Sequence, residues 1–299
     1  MQFKEAYVVK KPKNLILEEA LHRRLSHYVF SDDYYYTSIG YEGELLFAQK
    51  FPIQNHHIEL YNINLQTGAH KFEIDRLIIT GESIYAFDVK NYKNKYESHG
   101  KTWNTKLTEI SSPEVKFNTI DIAMKQLLFS LNIPHKYATF FAFINRQFYI
   151  DIPFKGLITY NEISTIFNKI HSEKPVTDKE KLIRNYFIDA HRPLSFHDKR
   201  PNFNIKHVQK GLKCINCNSS NIDMRYSKKT CKCRDCLTKY SKNEMVLNSL
   251  LDLDIIIGRP FSIKEAHKWM GTEFRNLTNN VLKNHFNIDG GGNYFFPYP

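Results

Sequence analysis

The chain has 299 residues, enough for two or three domains, and its 42% apolar content argues against global disorder. It carries 42 Lys and Arg against 31 Asp and Glu, a net charge of +11. That excess suits a polyanionic partner, nucleic acid ahead of a membrane surface, although scattered surface lysine gives the same balance. The opening MQFKEAYVVKKPKN lacks the apolar run of a signal peptide, and no stretch approaches a membrane-spanning length, so a cytoplasmic location and no membrane partner are expected.

In chain order, residues 14–30 place Ile16, Leu17, Leu21, Leu25 and Val29 at helical spacing. This helix is expected to pack on the domain that follows; the alternative is a substrate-gripping arm using Arg23 and Arg24. SDDYYYTSIG (31–40) reads as a connection. GYEGELLFAQKF is helical again, with Glu44 near its start, where an acid also suits the helix dipole. IELYNINL alternates as a strand, and QTGA is a turn.

Phe72–Lys90, FEIDRLIITGESIYAFDVK, reads as two apolar strands joined at Gly81 and Glu82. Each strand carries an acid that its apolar setting does not explain, Asp75 and Asp88. A charge placed so is costly unless paired or metal-bound. Alternation puts Asp88 and Lys90 on one face, and Glu73 on the face of Asp75 if that strand is regular. Glu73 reads as an edge salt-bridge partner rather than an extra ligand.

The spacing Asp75, twelve residues, Asp88-x-Lys90 is the motif of the PD-(D/E)xK nuclease superfamily. With GYEGE upstream, IDRLI, FDVKNY and Trp103 downstream, residues 37–145 resemble the nuclease-related domain NERD. Three positions depart from that family: Asp88 stands where it usually has Glu, Arg76 for a His, and Lys116, after Pro113, for a Gln. The resemblance implies a restriction-endonuclease-like α/β core, a mixed central sheet flanked by helices. It implies that Asp75, Asp88, Glu44 and the Val89 carbonyl hold Mg(II) or Mn(II), with Lys90 as the catalytic amine.

After Lys90, Lys93, Lys95, Lys101 and Lys106 alternate with Tyr92, Tyr96 and Trp103. This reads equally as a phosphate-and-base grip or as a solvated hairpin with a packed Trp. A helix starts at Ser112-Pro113-Glu114 and carries Gln126, read as a surface residue; YATFFAFIN (137–145) is a buried strand. Two modest helices follow, ITYNEISTIFNKI and VTDKEKLIRNYFIDAH, with His171, His191 and His197 read as structural or surface residues. Residues 197–213 are basic and read as a linker.

All five cysteines lie between 214 and 236. Cys214-x-x-Cys217, fifteen residues, Cys233-x-x-Cys236 supplies two knuckles for a tetrahedral Zn(II), closed and therefore structural, and leaves Cys231 free. This pattern resembles the zinc ribbons of topoisomerase tails. Lys213, Arg225, Lys228, Lys229, Lys232, Arg234 and Lys239 suit phosphate contacts. In the tail, SKNEMVLNSLLDLD is a helix, Ser262 and Glu265 form a capping box, and Gly271-Thr272 separates two short helices. This pair resembles a helix-turn-helix, with the final GGGNYFFPYP as a wing. If it reads DNA, Arg275, Asn276, Asn279 and Lys283 face it.

The expected organisation is an N-terminal helical extension (1–36), a nuclease-like domain (37–150), a helical and basic connector (151–212), a zinc ribbon (213–240) and a helix-turn-helix-like domain (241–299). The expected activity is metal-dependent cleavage of nucleic acid, DNA ahead of RNA; a nuclease that works only beside a helicase or other DNA-processing partner is a further alternative. The rival is a non-catalytic DNA-binding protein on an inactive nuclease fold.

Overall fold

The computed structural model describes residues 9–54, 56–68, 70–192 and 200–298; the N-terminal eight residues and His197 lie outside them. Two units emerge, one of residues 36–192 with 9–10, the other of 11–35 with 200–298.

The first unit is built on a five-stranded sheet in the order β1-β2-β3-β7-β9: β1 (Ile58–Thr67), β2 (His70–Ile79), β3 (Ser83–Lys90), β7 (Lys136–Phe143) and β9 (Leu157–Thr159). The pairs β1–β2 and β2–β3 are antiparallel, β3–β7 and β7–β9 parallel, so the sheet is mixed as expected. Parallel pairing needs a crossover, and α3 (Pro113–Ser130), capped by Ser112, supplies it between β3 and β7. β4 (Asn94–His99), β5 (Thr102–Asn104), β6 (Glu109–Ser111) and β8 (Phe148–Ile150) form a second sheet ordered β6-β5-β4-β8.

Helices cover both faces of the main sheet. On one, Phe117, Ile120, Met124 and Leu127 of α3 meet Leu77, Ala86 and Phe141. On the other, Phe47 of α2 (Asp32–Lys50) and Ile163, Phe167 and Ile170 of α4 (Tyr160–Ser172) meet Ile78, Phe87 and Ala142. Helix α5 (Asp178–Ala190) adds Ile183 and Phe187 to the first core. Residues 160–190, which the sequence assigns to a connector, thus pack on the sheet. Capping boxes at Thr159/Glu162 and Thr177/Glu180 start these helices. Glu173, just after α4, accepts hydrogen bonds from Thr80, Ser83 and Tyr85 and so clamps the β2–β3 turn. At that turn a Cβ on Gly81 would lie 2.5 Å from the Pro175 carbonyl oxygen, which only glycine avoids.

Three readings need correction here. SDDYYYTSIG is not a connection but the start of α2, where Asp32 and Asp33 in the first turn suit the dipole. Of the two readings of the Lys93–Lys106 stretch, the base grip gives way to the hairpin with a packed Trp: Trp103 and Tyr96 are buried among Phe143 and Phe148, while Lys93, Lys95, Lys101 and Lys106 are exposed. Strand β2 is not regular: Phe72 and Ile74 join the same core as Leu77 and Ile79, so the inward face switches across Asp75 and Arg76. Arg76 points the other way, against Phe47, Tyr61 and Phe167, and pairs with Glu59.

In the second unit, helix α1 (Lys13–Arg24) packs through Leu17, Ala20 and Leu21 on α6 (Lys242–Ile257), not on the nuclease-like core as expected. Arg24 is no substrate arm. It is fully buried, pairs with Asp252 at 2.8 Å, and donates to the carbonyls of Gln209 and Gly211 and to Ser249. Arg23 reaches the same carboxylate at 2.6 Å. Removing one member of a buried pair strands the other, so Asp252→Ala should cost about 3–5 kcal/mol in denaturant unfolding, whereas an exposed pair such as Lys125–Asp121 should cost under ~1 kcal/mol.

The ribbon is a three-stranded sheet of β10 (Ile222–Asp223), β11 (Thr230–Cys233) and β12 (Lys239–Ser241). Helix α7 (Ile263–Met270), started by the predicted Ser262/Glu265 box, is followed by α8 (Arg275–His285) and the hairpin of β13 (Asn287–Ile288) and β14 (Tyr294–Phe295). The element order is three helices and a terminal hairpin, as the sequence suggested. Among the described residues no helix is long and apolar enough to cross a membrane.

Candidate active site and metal centres

The regular β2–β3 ladder ends at the pair Arg76–Phe87. One step on, β2 departs, and the Asp75 carboxylate takes over from the main chain: the Val89 N–H donates to Asp75 Oδ2 at 2.6 Å. This brings Asp75 beside Asp88 although their strands no longer pair regularly. Asp88 is 1% exposed. Its Oδ1 lies 2.5 Å from the Lys116 Nζ of α3, and its Oδ2 pairs with Lys90.

Glu44 arrives from α2. A Cβ on Gly43 would lie 2.7 Å from the Asn91 Cβ, so glycine lets this helix approach the strand end that carries Lys90. Asn62 Nδ2 then donates to Glu44 Oε2 at 3.0 Å. Asn62 has φ of 49°, an uncommon conformation for a non-glycine residue, and it marks the point where β1 also switches its inward face, from Leu60 to Ile63.

Electrostatics tie these groups together. Burial holds the Asp75 carboxyl well above the usual range, and the neighbouring Asp88 and Glu44 charges add to the rise. Burial raises Glu44 to about 7, helped by Glu73 and Asp88 and opposed by Asn62. Burial would raise Asp88 too, but Lys90 and Lys116 overcome it and hold the carboxyl below its ordinary value. Desolvation of the Lys116 amine opposes its charge, but Asp88 above all raises it, although the side chain as a whole is about half exposed. The site is thus an acid cluster whose Asp88 end is neutralised and whose Glu44–Asp75 end is not.

The sign of the pH effect follows. Glu44 ionises near the ordinary carboxyl value of 4.5 when unfolded and at about 7 when folded. Between those values the native state holds a proton the unfolded chain has lost, so stability falls as pH rises through that window. Asp75 adds in the same sense. Zinc-loaded protein free of other divalent cations should melt progressively lower from about pH 5 to about pH 7, and Glu44→Gln should flatten that slope. An unchanged slope in the variant would remove Glu44 as the source.

The sequence therefore named Asp75, Asp88, Lys90 and Glu44, and the fold brings all four together. It did not single out Asn62 or give Lys116 a part. Asn62 sits in an ordinary alternating strand and gives no signal. Lys116 was visible as a departure from the family pattern. Of Val89, the N–H is committed to Asp75. Oxygen donors of this kind fit Mg(II) or Mn(II). Gln126 is exposed, and His191 Nδ1 accepts from the Asn64 N–H at 3.1 Å, a structural contact.

The second centre is the cysteine cluster. Ligand atoms of Cys214, Cys217, Cys233 and Cys236 all lie within 4.8 Å of one another, with Cys214–Cys236 at 3.5 Å and Cys217–Cys233 at 3.6 Å. Tetrahedral Zn(II) with Zn–S near 2.3 Å puts sulfurs about 3.8 Å apart, so the cluster fits that ion. Among the described residues it is the only group of three or more such side chains at that closeness; the carboxylates of the first centre are looser. Cys231 stays out, buried in the helical core with its thiol toward the Tyr240 carbonyl.

Around the ribbon, Arg225, Lys228, Lys229, Arg234 and Lys239 are exposed. Lys213 is not: it is buried and donates to Gln209, so it drops from the phosphate-contact set. On α8, Arg275, Asn276, Asn279 and Lys283 are exposed while Thr278, Val281 and Leu282 face the core.

No curated protein and no solved structure matches this chain. Residues 39–144, from α2 to the end of β7, match the family model of the nuclease-related domain, NERD.

Proposed function

We propose that the chain is a metal-dependent nuclease that hydrolyses phosphodiester bonds of DNA, gripping the strand with the ribbon and the C-terminal helices. The observation that supports this most is the convergence of Glu44, Asp75, Asp88 and Lys90 at one end of the central sheet within the segment that matches the NERD model. Asp75, Asp88 and Glu44, with the Val89 carbonyl, would hold Mg(II) or Mn(II). When bound, such an ion lowers the pKa of a water and stabilises charge on the phosphate. Lys90, held by Asp88, presents an ammonium to the anion that develops at the scissile bond. The Val89 N–H fixes the Asp75 carboxylate so that it need not reorganise. Exposed Arg225, Lys228, Lys229, Arg234, Arg275 and Lys283 position the backbone without reading sequence. A cytoplasmic location and a helicase or similar partner belong to the same proposal.

A second reading has one observation in its favour: both Asp88 oxygens already face lysine ammoniums, as in a nuclease fold kept only as a DNA-binding scaffold. Plasmid and linear DNA incubated with the purified chain separate the two. Cleavage that needs Mg(II) or Mn(II) and stops with chelator supports the enzyme; DNA retention without cleavage under any of these ions supports the scaffold.

A further inference from the structure

We propose that Lys116 is a fixed positive charge standing where a second divalent cation would bind, so that the site holds a single ion, on its Glu44–Asp75 side. This rests on the metal-site reading above and says how that site is filled. Glu44, Asp75 and Asp88 act on one another here, and both lysines of the cluster, Lys90 and Lys116, pair with Asp88.

The geometry divides the site in the same way. Lys116 occupies Asp88 Oδ1 at 2.5 Å and Lys90 occupies Oδ2, so the outer side of Asp88 is taken. Among the described residues no lysine forms a direct ion pair with Asp75 or Glu44; Asp75 accepts from the Val89 N–H and Glu44 from the Asn62 amide. The carboxylates left open to a cation are therefore those of Asp75 and Glu44. Lys116 comes from α3, where Pro113 and the Ser112 cap fix the helix start, so its amine is placed by the fold. Lys90 takes one oxygen of Asp88, and the second amine takes the other, where a further cation would otherwise bind. Asp88 is also one methylene shorter than a Glu, which keeps its carboxylate close to the strand and within reach of an amine from α3.

Lys116 is a positioning residue on this reading, and its test counts ions. Full-length, zinc-loaded protein is titrated with Mn(II), and bound Mn(II) is counted by electron paramagnetic resonance, in which Zn(II) is silent. The wild type should bind one Mn(II) at this site. Lys116→Gln and Lys116→Met should bind Mn(II) roughly tenfold more tightly or take up a second ion, because a like charge within a few ångströms has gone. Lys116→Arg, which keeps the charge, should stay at one ion with wild-type affinity. The side chain is about half exposed, so the neutral variants should fold, and circular dichroism checks it. Two ions in the wild type, or neutral variants that bind like the wild type, overturn the proposal and leave the nuclease reading standing. No bound Mn(II) in any of the proteins overturns both, and cleavage assays then show whether another ion serves.

Discussion

Asp88→Asn is expected to bring DNA cleavage to the chelated background, a loss of about a thousandfold or more, with DNA affinity nearly unchanged. Asn keeps the shape and one acceptor but loses the charge that holds Lys90 and that would hold an ion. Asp88 is almost fully buried, so no neighbouring carboxylate can swing in to replace it. The cations proposed to grip phosphate, on the ribbon and α8, are exposed and belong to the other unit, which is why binding should survive. Single-turnover cleavage of a labelled duplex and a parallel binding titration check both halves. A variant that cuts at the wild-type rate takes Asp88 out of the chemistry, and one that loses binding as well makes its part structural.

Loss of zinc is expected to have the second-largest effect. The ribbon strands are 2, 4 and 3 residues long, far too short to hold their shape by main-chain pairing alone. Structural Zn(II) contributes roughly 10–16 kcal/mol of apparent binding free energy in small metal-organised folds. Cys217→Ser or Cys233→Ser should remove about one zinc per chain, measured by elemental analysis, and lower DNA affinity through Arg225, Lys228, Lys229 and Arg234. Cys231→Ala should leave the zinc content unchanged, because that thiol lies outside the cluster. The unfolding should stop at the ribbon edge: Met224, Cys231 and Tyr240 also pack into the helical core of the same unit.

Much of the site was legible because its chemistry is written in type and spacing. An acid in an apolar strand, twelve residues, then Asp-x-Lys fixed β2, β3 and their turn, and CxxC twice fixed the ribbon. The capping boxes were equally local: Ser262 and Glu265 are three residues apart and bond each other. What was missed depends on partners distant in the chain. SDDYYYTSIG has weak helical patterning because none of its residues is buried; the buried residues of α2, Gly43 and Phe47, lie beyond it. The destination of α1 was misread because an apolar stripe says that a face is buried and not against what.

The sequence alone determined which residue types the two centres contain and the strands and knuckles that carry them, since periodicity and spacing are local properties of the chain. Only the tertiary structure decided that β1 and β2 switch faces at Asn62 and Asp75, that α2 brings Glu44 in past Gly43, and that Lys116 closes on Asp88. Those are contacts between segments separated by 18 to 28 residues or more, and long-range packing, burial and charge set them together.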